Sequence, residues 1–310
     1  MSCNTFRPLA VVVVNYASHE LLEKNLVAVA AATPDAQVVV VDSHSSSAEE
    51  SAVSALATRH GWSVVRTESN VGFGVGMNLG VAAAKAQGAE AFLLLNPDAA
   101  ILGPSVALLR ETLEQAPLTL LAPTIFDAGG NVWFAGADLH LDSGETRASS
   151  RRRAGERVHP WLTGACLMVG AELWEKVNGF DERYFLYWED VDLSFRVCRA
   201  GGSLVVVDGA TAVHDEGGTQ HSASEGPRLT GRAKSNLYYR YNIRNRLLFA
   251  ALNLAPADRR RWKRGAVPAA YQVLLRGGRK QFLHSAGPLW AGIHGTAEGL
   301  ALMRRVGRGR

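Results

Sequence analysis

The chain has 310 residues, three cysteines and a formal net charge of +4, which suits one large domain with an appendage, or two small domains. With 47% hydrophobic and 20% charged residues, its composition excludes the disordered, collagen-like and disulfide-stapled classes. Cys3, Cys166 and Cys198 lack metal-ligand spacing, and their odd count and scatter suggest reduced thiols in a cytoplasmic setting.

Leu9 to Val14 is a continuous apolar run that ends in Asn15 and reads as a buried parallel strand. It is too short for a signal peptide, and no window reaches the ~18 uncharged apolar residues of a membrane span. A helix is expected over His19 to Ala32, capped by Ser18, with Leu21, Leu22, Leu26 and Val29 on one side. Gln37 to Val41 is a second buried strand with Asp42 at its end. A helix from Ala48 to His60 leads to a third strand, Ser63 to Arg66. This strand–helix rhythm marks a doubly wound α/β sheet.

Asn70 to Gly80 then reads NVGFGVGMNLG and opens a helix running to about Gln87. Glycines there allow a tight turn and close approach by a ligand, or simply tight packing. The spacing is neither the dinucleotide fingerprint nor the Walker pattern. Asn70, Gly72, Phe73 and Asn78 are candidate donor-binding residues, with Asn15 at the first strand end and Asn96 at the fourth. That fourth strand, Ala91 to Leu95, is followed by Asn96-Pro97-Asp98, where Pro97 fixes a turn that projects Asp98 from the carboxyl edge. Asp42 and Asp98 at two strand ends suggest a pocket in which one accepts a pyrimidine N–H and the other binds a divalent cation.

A helix over Pro104 to Gln115 and a short strand over Leu118 to Ile125, interrupted by Pro123, come next. Phe126 to Arg157 is polar and Gly-rich and reads as a hairpin with a mobile loop. A helix over Ala171 to Val177 leads to Tyr184 to Arg196, YFLYWEDVDLSFR, in which an aromatic run meets Glu189, Asp190 and Asp192. Acids favour helix N-termini, so this could be simply a helix start. It also fits a general base at a pocket mouth, with Asp190 removing a proton, Glu189 orienting the acceptor, and Asp192 paired with Arg196 one turn on. His214 follows the strand that starts at Ser203, and among small and polar neighbours it reads as a ligand to a metal held with Asp98. Gln220 to Thr230 is polar and reads as a flexible loop. The helix over Lys234 to Leu254 carries Arg240, Arg244 and Arg246, which could clamp a pyrophosphate or lie on a surface face.

From Pro256 to Arg310, twelve Lys or Arg residues face only Asp258 and Glu298, so the tail carries 12 − 2 = +10 and the rest about −6. The cluster Arg259-Arg260-Arg261-Trp262-Lys263-Arg264 resembles an interfacial anchor for an anionic membrane, or serves solubility alone. No specific nucleic acid is implied, and a homodimer is left open.

These parts together describe a nucleotide-diphosphate site: Asp42 for a base, and Asp98 and His214 for Mg²⁺ or Mn²⁺ bridging two phosphates. At this point the sequence resembles family 2 glycosyltransferases of the GT-A fold, in particular a bacterial rhamnosyltransferase-like branch. The matching stretches are VVVVNYAS, VVVVDSHS, ESNVGFGVGMNLG, FLLLNPDA, WLTGACLMV, GFDERYFLYWEDVDLSFR and AVHDEGGT, spanning about residues 9 to 219. The resemblance implies a GT-A catalytic domain over about 1–225, with a donor half to about 100 and an acceptor half beyond it. Residues 226–310 are then a helical, basic extension. It implies the base-contacting role for Asp42, the metal role for Asp98 with His214, and the base role for Asp190 with Glu189 beside it. The usual Asp-x-Asp motif is here Asn96-Pro97-Asp98, lacking its first acid. The resemblance also implies a dTDP- or UDP-sugar donor, with dTDP-L-rhamnose as first choice, and a hydroxyl acceptor on a glycan, lipid-linked glycan or natural product. A nucleotidyltransferase would carry a Gly-rich basic loop after the first strand, where this chain has Asn15 to His19. A non-catalytic glycan-binding module would leave the acids at four element ends unexplained.

Overall fold

The computed structural model describes residues 6–214 and 234–308. Four apolar runs form the parallel half of a nine-stranded sheet: β1 (Leu9–Asn15), β2 (Gln37–Ser43), β3 (Ser63–Thr67) and β4 (Ala91–Leu95). Their order is β3-β2-β1-β4, and β1 and β4 are buried along their whole length, as a strand covered on both faces requires. The covering helices include Ser47–His60 and Phe73–Ala86. The latter lies close on the sheet because it has glycine at position 80, where a Cβ would come within 2.4 Å of Val12. The first helical stretch is not a regular α-helix, since Leu22–Leu26 forms a π-turn between His19–Leu21 and Val27–Ala32.

The other half is mixed. It contains β5 (Ala99–Ile101), β6 (Thr119–Phe126), β7 (Val132–Phe134), β11 (Cys166–Gly170) and β12 (Ser203–His214). Strand β11 runs antiparallel between β4 and β6, so the sheet departs from the mostly parallel expectation at its centre. Pro123 does not interrupt β6. Opposite it the register on β12 jumps from Val206 to Thr211, so the missing N–H falls at a bulge.

The segment expected to be a mobile loop is ordered: β8 (Ala137–His140), β9 (Thr146–Ala148) and β10 (Val158–Trp161) form a small antiparallel sheet in the order β10-β8-β9. The C-terminal helices Asn236–Asn253, Pro256–Arg264, Ala266–Leu275, Gln281–His284 and Gly287–Arg308 follow. They share a core with the catalytic half, in which Leu248, Phe249 and Trp262 pack with Tyr184, Trp188 and Val191. Trp262 is 1% exposed and its indole N–H donates to the Leu141 carbonyl at 2.7 Å. It is therefore a core residue, and the anchor expected around it is not built on its ring.

Candidate active site

The parallel strands deliver their carboxyl ends to one edge. Asn15 and Asp42 are partners in register at the ends of β1 and β2. Both are buried, and the Asn15 amide donates to Asp42 at 3.1 Å and to Glu49 at 3.0 Å. Burial raises Asp42's carboxyl above the usual range, opposed by the bond from Asn15. Glu49 goes the other way, because bonds from Asn15 and His19 outweigh its burial. Asn15 thus acts here as a brace between two acids.

The glycine turn meets this edge. Asn70 accepts the Gly72 N–H at 2.9 Å and shapes the bend. Gly72 has φ +81°, and a Cβ there would fall 2.2 Å from the Phe185 carbonyl oxygen, so glycine is required. The Phe73 N–H donates to that same carbonyl at 3.0 Å, tying the turn to the aromatic run before Glu189. Asn78 faces away, bonding the backbone N–H and C=O of Phe180 at 2.9 Å each.

Asp98, in the turn after β4, is buried. His214 at the end of β12 brings Nε2 within 3.0 Å of its Oδ1. The imidazole lies against Trp133, with ring centroids 4.5 Å apart. Neither ring nitrogen makes a well-formed hydrogen bond among the described residues, leaving both capable of ligation. One carboxylate and one imidazole leave most of an octahedral shell to substrate phosphates and water, which is how Mg²⁺ and Mn²⁺ are commonly held. Among the described residues no cluster of three acidic, His or Cys groups offers a closed metal cage. The pair therefore fits an ion held largely by the donor.

Across the cavity the helix Glu189–Arg199 begins at an unusual turn. Tyr187 and Trp188 both lie in the left-handed region, at φ 66° and 72°. Successive bulky residues adopt that conformation only when their surroundings enforce it. The enforcing residue is Asn245, which is buried and donates to the Leu186 and Tyr187 carbonyls at 2.9 and 2.8 Å. Trp188 is wedged against Phe249 and Trp262. Asp190 then receives the Gly164 N–H at 3.1 Å and the Val191 N–H at 2.8 Å. Asp190 is half-buried, on the lining of the cavity. Burial raises it to about 6 despite the backbone donors. Glu189 is pushed well above the ordinary range by burial first and by Asp190's charge second, and its Oε2 has no hydrogen-bond partner among the described residues. Asp192 forms the expected pair with Arg196 at 2.6 Å and also receives the Asn253 amide at 2.6 Å.

One cavity of about 950 Å³ is lined by Asn70, Gly72, Phe73, Asn96, Asp98, His214, Glu189 and Asp190. Asn15, Asp42 and Asn78 sit behind its wall rather than on it. Arg240 and Arg244 are turned toward Glu298 of the last helix and also lie off the lining. Sequence reasoning missed Asn245; of the three arginines it singled out on that helix, Arg246 is the one that lines the cavity, where it stacks on Trp262 at 4.5 Å and is lowered by burial to about 10. The alternating Arg-Tyr-Asn pattern of their helix was the available signal. Asp215 to Thr219, and the loop expected over Gln220 to Thr230, lie outside the described residues.

A parallel carboxyl edge with Asp98 at its switch point, facing a Glu-Asp pair across one cavity, defines a nucleotide-diphospho-sugar transferase of the GT-A type. Residues 7–236 match the model for glycosyltransferase-like family 2, and the chain belongs to that family of sugar-transferring enzymes. It is 28% identical over 245 residues to the N-acetylglucosaminyl-diphospho-decaprenol L-rhamnosyltransferase of Mycobacterium tuberculosis, covering 71% of this chain and 78% of the relative. Solved structures share the fold at low identity. A Pyrobaculum calidifontis mannosyltransferase, in complex with GDP-Man and Mn²⁺, superposes with TM-score 0.55 at 15% identity over 97% of this chain and 87% of that one. GalNAc-T7, with UDP, GalNAc and Mn²⁺, gives 0.58 at 16% identity over 84% and 55%. No helix among the described residues is long and apolar enough to cross a membrane.

Proposed function

We propose that the chain is an inverting, metal-dependent glycosyltransferase that moves a sugar from a pyrimidine nucleoside diphosphate to an acceptor hydroxyl. The carrying observation is a cavity whose lining includes both the Asp98–His214 pair and the Asp190 carboxylate, pushed up to about 6.

At the donor side, Asp42 is fixed through one oxygen by Asn15 just behind the cavity wall, so contact between its other oxygen and a pyrimidine N3–H would require that wall to yield. Asp98 and His214 would hold Mg²⁺ or Mn²⁺, which when bound offsets the charge developing on the leaving diphosphate. At the acceptor side, Asp190 takes the proton of the attacking hydroxyl. A base with a pKa near the working pH is ionised enough to act and strong enough to accept a proton. Glu189, whose carboxyl is held well above its usual range by burial and by Asp190's charge, orients the acceptor. One displacement from the face opposite the diphosphate inverts the anomeric carbon.

The likeness to a rhamnosyltransferase makes dTDP-L-rhamnose the first donor to test, with a glycan, lipid-linked glycan or natural product as acceptor, in the cytoplasm. The test is transfer from dTDP-, UDP- and GDP-sugars with and without Mn²⁺, with the product's anomeric configuration read by NMR. Inversion from a pyrimidine donor is expected. Tight GDP binding without pyrimidine binding would overturn the donor reading, and retention would overturn the single displacement.

A further inference from the structure

With Trp262 buried, the excess of positive charge in the tail needs another account. The two acids there do not offset it at the surface. Asp258 is paired with Arg157 at 2.8 Å, and Glu298 with Arg240. Arg260, Lys263, Arg264, Arg279 and Lys280 are exposed, and none makes an ion pair among the described residues. Arg260 and Arg264 line one shallow depression together with Arg261.

The same stretch exposes apolar side chains. Val267 and Tyr271, one turn apart on the helix Ala266–Leu275, are 69% and 50% exposed. Leu283 is 85% exposed, and Trp290 and Ile293 of the helix Gly287–Arg308 are 62% and 57% exposed. A helix that packs one face on the protein normally turns polar groups outward. These two helices keep Ala270, Val273, Leu274 and Ala291 inward and still present large apolar groups outward. The exposed groups also adjoin across the helix seam. Gly292 sits under Leu274, where a Cβ would come within 3.0 Å of it. Tyr271 precedes Leu274 by one turn, and Leu289 and Ile293 flank Gly292 in sequence, so the exposed groups lie along the two helices that meet there. The basic groups border this patch: Arg264 ends the preceding helix just before Val267, and Arg279 and Lys280 precede Leu283.

We infer that the face formed by Val267, Tyr271, Leu283, Leu289, Trp290 and Ile293, rimmed by Arg260, Lys263, Arg264, Arg279 and Lys280, docks the protein on an anionic lipid bilayer. Apolar groups beside uncompensated cations are the composition of an element that lies in the headgroup layer. Charge complementarity selects this occupant. A second copy of the chain would set the same cations against one another, whereas a surface of acidic lipids neutralises them while the apolar groups enter the acyl boundary. The proposal rests on this surface alone and stands or falls independently of the donor and the base. Its functional consequence is positional. The helix Ala266–Leu275 also lines the catalytic cavity with Pro268, Gln272 and Arg276, so the bilayer would lie beside the cavity's far end.

The test is flotation of the full chain with vesicles of phosphatidylcholine alone and of an equimolar mixture with phosphatidylglycerol. The unaltered chain should float with the mixed vesicles and not with the neutral ones, and high salt should weaken the association. Tyr271→Ser with Trp290→Ser and Ile293→Ser should cut the bound fraction at least tenfold. Arg279→Glu with Lys280→Glu should do so without touching an apolar group, and this second variant keeps the test decisive if the first misfolds. Failure of the unaltered chain to float, or equal binding by both variants once folded, would overturn the proposal. So would a dimer in sedimentation equilibrium that the serine variant dissolves while vesicle binding is absent, since the face would then pair two copies.

Discussion

Asp42 and Asp98 stand at the ends of strands whose positions are set by ladders with adjacent strands, whereas Glu189 and Asp190 follow a turn that no ladder holds. The donor edge is secured by the sheet and by the helical segment that follows its first strand. Asn15 braces Asp42 across one strand pair, and the Asn96-Pro97-Asp98 turn is pinned by the Asn25 amide on the Pro97 carbonyl at 2.9 Å. The turn before Glu189 is instead held by the C-terminal helices, by Asn245 on two carbonyls and by Phe249 and Trp262 on Trp188. Under the proposed roles this would be a division of labour, with the sheet positioning the donor and the C-terminal helices positioning the base.

This contrast can be broken by removing one side at a time. The largest effect is expected at the base itself. Asp190→Asn keeps size and the two backbone donors but removes proton acceptance, so turnover should fall roughly 10²–10⁴-fold. Nucleotide affinity measured by calorimetry should stay near that of the unaltered enzyme. At the donor edge, Asp98→Ala should lower metal-dependent nucleotide affinity about 10–100-fold. Chelation should abolish transfer and added Mn²⁺ or Mg²⁺ should restore it. Full activity after rigorous metal removal would sink the metal assignment.

A smaller but more telling effect is expected from Asn245→Ala. It releases the left-handed turn and should cost about 1–3 kcal/mol of stability. Displacement of Asp190 should lower kcat by up to about 10²-fold. Nucleotide affinity should fall far less than kcat, because the donor edge meets that turn only through the bond from the Phe73 N–H to the Phe185 carbonyl. An equal loss of kcat and nucleotide affinity would show that the two regions are not separately held.

The smallest effect concerns stability. Glu189's carboxyl is held above its usual range, so the folded state binds that proton more tightly than the unfolded chain does. Stability is then lost as pH rises above the unfolded value, and glutamine escapes that loss. Glu189→Gln should raise Tm by a few degrees at neutral pH and leave it almost unchanged below about pH 4. A Tm that drops at neutral pH would show that the negative charge is satisfied after all.

The contrast also explains what was legible in the sequence. Strands β1, β2 and β4 are unbroken apolar runs closed by Asn15, Asp42 and Asn96, and the edge they form follows from pattern and topology alone. The Asp192–Arg196 pair was readable because it spans a single helical turn. Strand β11's antiparallel course was not readable, since a five-residue apolar run carries no direction. The small sheet of β8, β9 and β10 hides in short polar strands. Nothing local marks Tyr187 and Trp188 for positive φ, because the residue that enforces it, Asn245, lies about sixty positions away. Trp262 among arginines gives the same pattern whether the ring meets lipid or core, and only packing with Trp188 and Phe249 decides between them.

The account's central claim, that Asp190 is the base tuned by its burial, is tested most directly by the pH dependence of kcat/KM. The unaltered enzyme should show an acid limb with an apparent pKa near 6, losing activity tenfold per unit as the carboxylate takes up its proton below that value. In Asp190→Asn the residual rate should lack that limb. A profile that stays flat well below pH 6, or the same limb persisting in Asp190→Asn, would contradict the assignment.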